Sequence, residues 1–314
     1  MTALPWRTAG LTLIAMLAFA GNSLLCRQAL RHTAIDAASF TSLRLVSGAL
    51  VLALLVALRA RVAAPAALTV PSAPAAAAAS ATTARRLAGD WPSAVALFVY
   101  AAGFSMAYVS LTAATGALLL FGVVQTTMIG WGLWRGERLL PLQWLGLATA
   151  TAGLVALLLP GLATPSLRSG VLMAAAGVAW AVYSLRGRSA QDATAVTAGN
   201  FLRAAPLALA LSLLLWPQAR WDAAGAALAV ASGALASGLG YAVWYTALRG
   251  LSATRAAVVQ LAVPALAAGG GALLLGEPLS TPLLLAASAV LGGVALVIRG
   301  RSQCVVRGAV QHRV

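Results

Sequence analysis

The side chains of this chain that could do chemistry are a few polar and aromatic residues set inside long apolar stretches. Trp180 and Tyr183 are three residues apart, so on a helix they share one face. Tyr241 and Trp244 have the same spacing. Aromatic faces with a few amides suit a zwitterionic or amphiphilic ligand. We therefore predict that a small molecule is bound by residues near the centres of these stretches and by one arginine: Asn22, Arg44, Gln125, Trp180, Tyr183, Tyr241 and Gln260.

Several of these residues have an alternative role. Amides inside a membrane bundle also form hydrogen bonds between helices, which is the alternative for Asn22, Gln125 and Gln260. Trp244 is of the type that forms the aromatic belt at a membrane interface. Gln125 and Trp180 fall closest to the centres of their stretches, so they are the strongest candidates for contact with a ligand.

Arg44 and Arg203 are the two arginines that we place well within apolar stretches. An ionisable residue inside a membrane is a functional candidate by default, because its burial is costly. The alternative is that each guanidinium reaches a helix end and bonds to water or to backbone carbonyls there. If either arginine contacts a substrate carboxylate or acts in gating, we expect Arg44 to be the one.

The sequence does not provide the residues that proton relay, enzyme catalysis or ATP coupling would need. All six acidic residues fall at the ends of the apolar stretches or between them, so no intramembrane proton relay is visible, and Glu137 and Glu277 are expected to terminate helices. Residues 103–107 form only a partial nucleophile-elbow pattern. We therefore expect no enzyme activity, no metal and no cofactor, and no direct coupling to ATP, because a nucleotide motif is missing.

Composition assigns the chain to a membrane. It has 314 residues, of which 61% are hydrophobic and 9% charged, with a mean hydropathy of +0.91. A soluble domain carries roughly 25% charged residues. The 21 basic residues are all arginine and give a net charge of +15, which in a soluble protein would suggest nucleic acid. Here the arginines separate apolar runs, so they report topology, and we expect no nucleic-acid partner.

Ten stretches are long enough to span a bilayer as helices, the form that satisfies the backbone in lipid. They are residues 9–29, 37–58, 93–112, 115–134, 142–162, 169–187, 195–216, 225–247, 254–275 and 281–298. With a cytoplasmic N-terminus, 15 arginines lie on the inner side and 4 on the outer side. The positive-inside rule therefore predicts that both termini are cytoplasmic, in a bacterial inner membrane.

The chain contains an internal repeat. Residues 103–138 are a fainter copy of residues 238–278, with Gly136-Glu137 matching Gly276-Glu277. Five spans in each half is an odd number, so the second half is inverted relative to the first. Repeats of this kind indicate a secondary transporter that holds its substrate near the midplane between the halves.

The predicted domains follow from the repeat. The first five-helix repeat covers residues 1–162 and contains a disordered cytoplasmic linker, 62–84, rich in alanine and proline. The second repeat covers 163–299, and a basic cytoplasmic tail covers 300–314. Within the second repeat, Gly233-x-x-x-Ser237 is a small-residue pattern that lets helices approach closely. The fold class is thus an all-α integral membrane protein with ten transmembrane helices in two inverted repeats.

The ordered motifs resemble the EamA family of the drug/metabolite transporter superfamily. The second half carries Gly240-Tyr241, Tyr245-x-x-Leu248, Ser252-Ala253-Thr254, Gln260, Pro264 and Gly276-Glu277-Pro278-Leu279, and the first half adds Arg44 and Gly136-Glu137-Arg138-Leu139. The first half departs from this pattern at two positions. Thr127 aligns with Pro264, and Ala20, which is not aromatic, aligns with Trp180. The resemblance implies alternating access, with substrate held by spans 1, 3, 4, 6, 8 and 9.

The expected function is export of small metabolites, which the resemblance also implies, with amino acids or related zwitterions first. A multidrug or organic-cation efflux carrier is the alternative, and a non-transporting membrane sensor or scaffold is a further one. The expected partners are a small-molecule substrate and the lipid bilayer, and a homodimer is left open.

Overall fold

The computed structural model describes residues 6–67, 88–136, 139–158, 166–187, 190–251 and 259–311. Within these ranges every regular element is a helix. The helices are α1 (Trp6–His32), α2 (Ala37–Ala67), α3 (Trp91–Tyr108), α4 (Ala113–Trp134), α5 (Pro141–Leu158), α6 (Leu167–Gly187), α7 (Ala193–Leu214), α8 (Ala223–Ala231), α9 (Gly240–Leu248), α10 (Ala262–Leu275) and α11 (Thr281–Gln311). A π-helical segment, Ser232–Leu239, joins α8 to α9, and a 3-10 turn, Trp216–Gln218, follows α7.

The chain is a multi-pass membrane protein. Seven helical stretches are long and apolar enough to cross a bilayer: α1, α2 as far as Arg61, α3, α4, α6, α7, and the continuous stretch Ala223–Leu248. Two shorter apolar helices follow, Ala262–Leu275 and Thr281–Val297. The total of ten spans and the inverted relation of the two halves stay predictions.

Helix boundaries are set by capping residues that the sequence places between apolar runs. Asp90, Thr112, Asp192 and Asp222 each accept a hydrogen bond from the backbone three residues on, at 2.8–3.2 Å, and so cap α3, α4, α7 and α8. The C-terminal end of α10 is set by Gly276, which has a φ of +63° and terminates the helix, as its Gly-Glu-Pro sequence predicts. Gly136, its predicted counterpart after α4, also has a positive φ, +87°.

The helical structure extends into two segments that the sequence predicts to lie outside the spans, the linker and the C-terminal tail. Of the predicted linker 62–84, residues 62–67 continue helix α2, and residues 68–84 lie outside the described residues. In the predicted tail, the backbone of α11 stays helical to Gln311. Glu137 also lies outside the described residues.

The helices form a central group, a pair of α2 and α7 packed against that group, and a side pair. α1, α3, α4, α6, α9, α10 and the π segment pack around a shared core, while α5 packs mainly against α11. The α5–α11 contact is close, since a Cβ on Gly146 would lie 2.5 Å from the backbone oxygen of Gly293. The central group corresponds to the six spans that the resemblance assigns to the substrate.

The π segment itself packs unusually close to α2. A Cβ on Gly233 would collide with the backbone oxygen of Arg44 and with Ser47 Oγ. Glycine is therefore required at this crossing, which confirms the close approach predicted from Gly233-x-x-x-Ser237. A π turn is a wider helical turn that is frequent at functional sites. Here it lies directly beside the arginine that the sequence selects.

Candidate functional site

A small cavity lies among the central helices. It is lined by Phe19, Asn22 and Ser23 from α1, Tyr100 and Phe104 from α3, Leu120 and Phe121 from α4, Trp180 from α6 and Tyr241 from α9. Both halves of the chain contribute to it. Its volume of about 20 Å³ is enough for roughly one water molecule, whereas ligand pockets usually measure about 300–1,000 Å³. The cavity is therefore closed in this structure.

Aromatic rings form one wall of this cavity and join the two halves. The Trp180 ring lies 4.7 Å from the ring centre of Tyr100, 5.1 Å from that of Tyr241 and 5.6 Å from that of Tyr183. Tyr241 also meets Phe19 edge to face at 5.9 Å. Such pairs are worth about 0.5–1.5 kcal/mol each beyond their burial. The wall is thus a packed structural unit that joins the two halves.

Asn22 is fixed between three elements. Its Nδ2 donates to the Tyr100 hydroxyl at 3.4 Å, and its Oδ1 accepts a hydrogen bond from Ser232 Oγ at 2.6 Å. Ser232 belongs to the π segment. The amide thus forms the interhelical hydrogen bonds of its alternative role, and it also lines the cavity.

Arg44 lies behind the aromatic wall and is 1% exposed. Its Nη2 donates to the Tyr100 hydroxyl at 3.0 Å, and its Nε donates to Ser237 Oγ at 3.3 Å. Its guanidinium carbon lies 5.2 Å from the Tyr100 ring centre and 4.9 Å from that of Phe104, so both rings also contribute cation–π contacts. The helix-end alternative is wrong for Arg44, because its hydrogen bonds go to buried side chains.

The remaining predicted residues are distributed around this centre. Gln125 is buried in α4, and Gln260 is half-buried in a helical position two residues before α10; neither belongs to the cavity lining. Tyr183 touches Trp180 but lines a second pocket nearer one end of the bundle. Arg203 donates to the backbone oxygens of Ala88, at 3.2 Å, and Gly199, at 2.9 Å, which agrees with the carbonyl-binding alternative.

Trp244 does not form part of an interfacial belt. It is buried, and its ring packs edge to face against Phe19 at 5.8 Å. The prediction that Trp244 belongs to an interfacial aromatic belt is therefore wrong, because the helix face that Trp244 shares with Tyr241 points into the core.

The predicted inner end of the bundle is closed by exposed polar contacts. Arg186 Nη2 lies 3.1 Å from Asp90 Oδ1, and its Nε donates to Ser93 Oγ at 3.0 Å. Partial burial raises the pKa of Asp90, but hydrogen bonds from Ser93 and Arg186 outweigh it and hold that pKa below its usual value. The contact therefore stabilises the fold at neutral pH, and this contribution is lost as the pH falls through the lowered pKa.

The predicted outer end is closed by a buried ion pair. Arg27 Nε lies 2.7 Å from Glu277 Oε1, and the two side chains are 9% and 10% exposed. Arg27 Nη1 also donates to the backbone oxygens of Tyr108 and Val109, and Glu277 Oε2 accepts from the backbone N–H of Ala113 at 2.7 Å. The pair thus clamps the turn between α3 and α4.

Sequence reasoning missed this ion pair and the role of Tyr100. Arg27 is one of the four arginines counted on the outer side, although it lies inside the predicted span 9–29, and that position is the available signal. Tyr100 lies inside the predicted span 93–112 without a polar neighbour to mark it. The structure makes Tyr100 the residue that connects Asn22 to Arg44.

Comparison with known proteins gives a consistent set of similarities. Residues 168–299 match the model of a family described as the EamA-like transporter family. An uncharacterized protein of Pseudomonas aeruginosa, PA1977, is 56% identical over 295 residues, which cover 94% of this chain and 96% of that protein. A crystal structure of another protein superposes on this chain with a TM-score of 0.59 at 23% sequence identity. The match covers 92% of this chain and 97% of that protein's chain. This last likeness concerns the fold alone.

Proposed function

Because the chain belongs to the EamA-like transporter family of the drug/metabolite transporter superfamily, we propose that it is a secondary transporter that exports small metabolites by alternating access. Amino acids and related zwitterions are the first substrates. We further propose that it lies in a bacterial inner membrane with both termini in the cytoplasm, which the distribution of arginines supports.

The observation that carries this proposal is a closed cavity between helices of the two halves. Its lining combines aromatic rings with Asn22 and Ser23, the surface expected for a small zwitterion. Each end of the bundle is bridged from one half to the other, by Arg27–Glu277 at one end and by Asp90–Arg186 at the other. A carrier that opens one end at a time must break one of these bridges while it keeps the other.

Trp180→Ala is expected to slow exchange strongly, because it removes the ring that contacts Tyr100 and Tyr241 across the cavity. The measurement is counterflow of a radiolabelled amino-acid mixture into proteoliposomes preloaded with the unlabelled mixture. We expect the initial rate to fall at least about tenfold, the loss that follows from about 1.4 kcal/mol of binding or barrier energy.

The matched control is Trp134→Ala, which truncates a tryptophan that is 76% exposed at the end of α4. Its exchange rate should stay close to native. Gln125→Ala, at a buried residue outside the lining, tests the sequence-based site, and loss of exchange there with native rates in Trp180→Ala would move the site away from this cavity.

Efflux of organic cations is a second candidate, which the aromatic wall favours. Clustered aromatic rings such as Tyr100, Trp180 and Tyr241 bind quaternary ammonium groups through cation–π contacts. The buried positive charge of Arg44 works against it, since like charges repel strongly at low dielectric. Counterflow of a quaternary amine in the same proteoliposomes separates the two candidates, because uptake of the amine without uptake of amino acids would favour the second.

A further inference from the structure

Two buried polar atoms have no hydrogen-bond partner in the part of the chain that the structure describes. They are Nη1 of Arg44 and the hydroxyl oxygen of Tyr241. Most buried polar groups in proteins are satisfied, so each exception calls for a physical reason. Tyr241 lines the closed cavity, and the Arg44 guanidinium packs against two other rings of that lining, those of Tyr100 and Phe104.

Arg44 also lacks a counterion among the described residues. Its side-chain partners are two neutral hydroxyls, those of Tyr100 and Ser237. A buried guanidinium without an anion is costly, because desolvation is not offset by a paired charge. A ligand that brings a negative charge to this position would therefore gain an interaction that the empty protein leaves unmade.

Tyr100 connects this charge to the cavity. Its hydroxyl oxygen accepts hydrogen bonds from Arg44 Nη2 at 3.0 Å and from Asn22 Nδ2 at 3.4 Å. With both lone pairs engaged, the hydroxyl hydrogen remains to be donated, and the adjacent guanidinium makes it a better donor. Tyr100 and Tyr241 both line the cavity, so it offers two phenolic donors with a positive charge behind them.

We propose that Tyr100 and Tyr241, with Arg44 behind them, form a subsite for the carboxylate of the transported substrate, an inference that rests on the proposed function. The carboxylate accepts the O–H of each tyrosine, and Arg44 supplies the compensating charge through Tyr100. Ser237, in the π segment, is a positioning residue that holds Arg44 Nε. The subsite selects substrates with a free carboxylate and rejects cations that lack one.

The test compares an amino acid with its own carboxamide, which has the same shape and lacks the negative charge. In counterflow by the native protein, we expect the acid to compete at a concentration at least tenfold lower than the amide. Tyr241→Phe, which removes one oxygen atom, is expected to weaken competition by the acid at least tenfold and competition by the amide less, because the uncharged amide oxygen accepts only a weaker hydrogen bond. Tyr245→Phe, at a tyrosine that lines the pocket at the predicted inner end, is the matched control and should keep the native preference.

Each outcome decides between the inference and the proposed function. Exchange of amino acids in which acid and amide compete equally would overturn the subsite and leave the transporter standing. If amino acids are not exchanged, thermal stabilisation of the purified protein by acetate and by acetamide tests the subsite alone. A shift in melting temperature with acetate, absent with acetamide and lost in Tyr241→Phe, would support it. Equal shifts, or none, would overturn it.

Arg44→Lys keeps the positive charge and loses the planar set of guanidinium N–H donors. This variant should retain part of the preference for the acid, whereas Arg44→Gln should lose that preference.

Discussion

Glu277→Gln is expected to open the predicted outer end of the bundle to water. The substitution keeps the size of the side chain and removes its charge, so Arg27 loses its ion-pair partner in a site where the two side chains are only 9% and 10% exposed. Removing one member of a buried pair typically costs about 3–5 kcal/mol. This cost falls on the closed form alone, because both groups would be hydrated in the open form, and the population therefore shifts toward opening.

The measurement is the labelling rate of a Ser23→Cys reporter by a membrane-impermeant thiol reagent, in a chain that also carries Cys26→Ser and Cys304→Ser. Ser23 is 1% exposed and lines the cavity, so the reporter reacts only when an entrance opens. We expect Glu277→Gln to raise the rate at least about tenfold, which corresponds to about 1.4 kcal/mol of lost closed-state preference. Labelling should occur from the outside of the cell.

Asp222→Asn is the control for this experiment. Asp222 lies at the same predicted end of the bundle and caps α8 through the backbone N–H of Gly225, a role that asparagine also performs. Its labelling rate should stay native. An equal rise of the labelling rate in both variants would mean that the fold is destabilised in general. An unchanged rate in a folded Glu277→Gln protein would show that the ion pair has no role in gating.

Coupling between Arg27 and Glu277 can be measured separately. Among the described residues, Arg27→Gln leaves the Glu277 carboxylate with the backbone N–H of Ala113 as its remaining partner, so each single change strands a buried polar group. The double change strands neither charge. We therefore expect the loss of stability in the double variant to be at least about 1 kcal/mol smaller than the sum of the single losses.

The sequence predicts the helices well because lipid leaves the backbone few choices. A long apolar run must satisfy its own hydrogen bonds, and so the predicted stretch 115–134 corresponds to α4, Ala113–Trp134, within two residues. The Asp and Thr residues between runs cap the helices that follow. The predicted stretch 93–112 runs past the end of α3 at Tyr108, because Val109 and Leu111 are apolar enough to continue the pattern.

The site is predicted only in part, because the contacts that build it join distant parts of the chain. Arg27 and Glu277 are 250 positions apart, and Arg44 and Ser237 are 193 apart. A hydropathy pattern assigns each residue to a depth in the membrane and says nothing about its partner. Trp180 and Asn22 are found because aromatic and amide groups stand out inside an apolar run. Tyr100 is missed because its role comes from Arg44, which reaches it from another helix.

Gly233→Ala is expected to destabilise the protein and to displace Arg44. An added Cβ would collide with the backbone oxygen of Arg44, which cannot rotate away, so α2 and the π segment must move apart. Overpacking of this kind typically costs about 1–3 kcal/mol. The same movement draws the guanidinium away from Tyr100, whose hydroxyl receives Nη2 at 3.0 Å. Both thermal stability and exchange should therefore fall, and exchange should fall even at temperatures where the variant remains folded.

Gly269→Ala makes the same chemical change where an added Cβ meets nothing within 4 Å, in the interior of α10. Alanine favours a helix interior over glycine by roughly 0.5–1 kcal/mol, so this variant should match or exceed the native melting temperature. The two variants are compared by size-exclusion chromatography after heating in detergent, and by counterflow. A Gly233→Ala protein as stable and as active as Gly269→Ala would show that α2 and the π segment can separate freely. The position of Arg44 would then not depend on their contact, and the π segment would have no part in holding the cavity's positive charge in place.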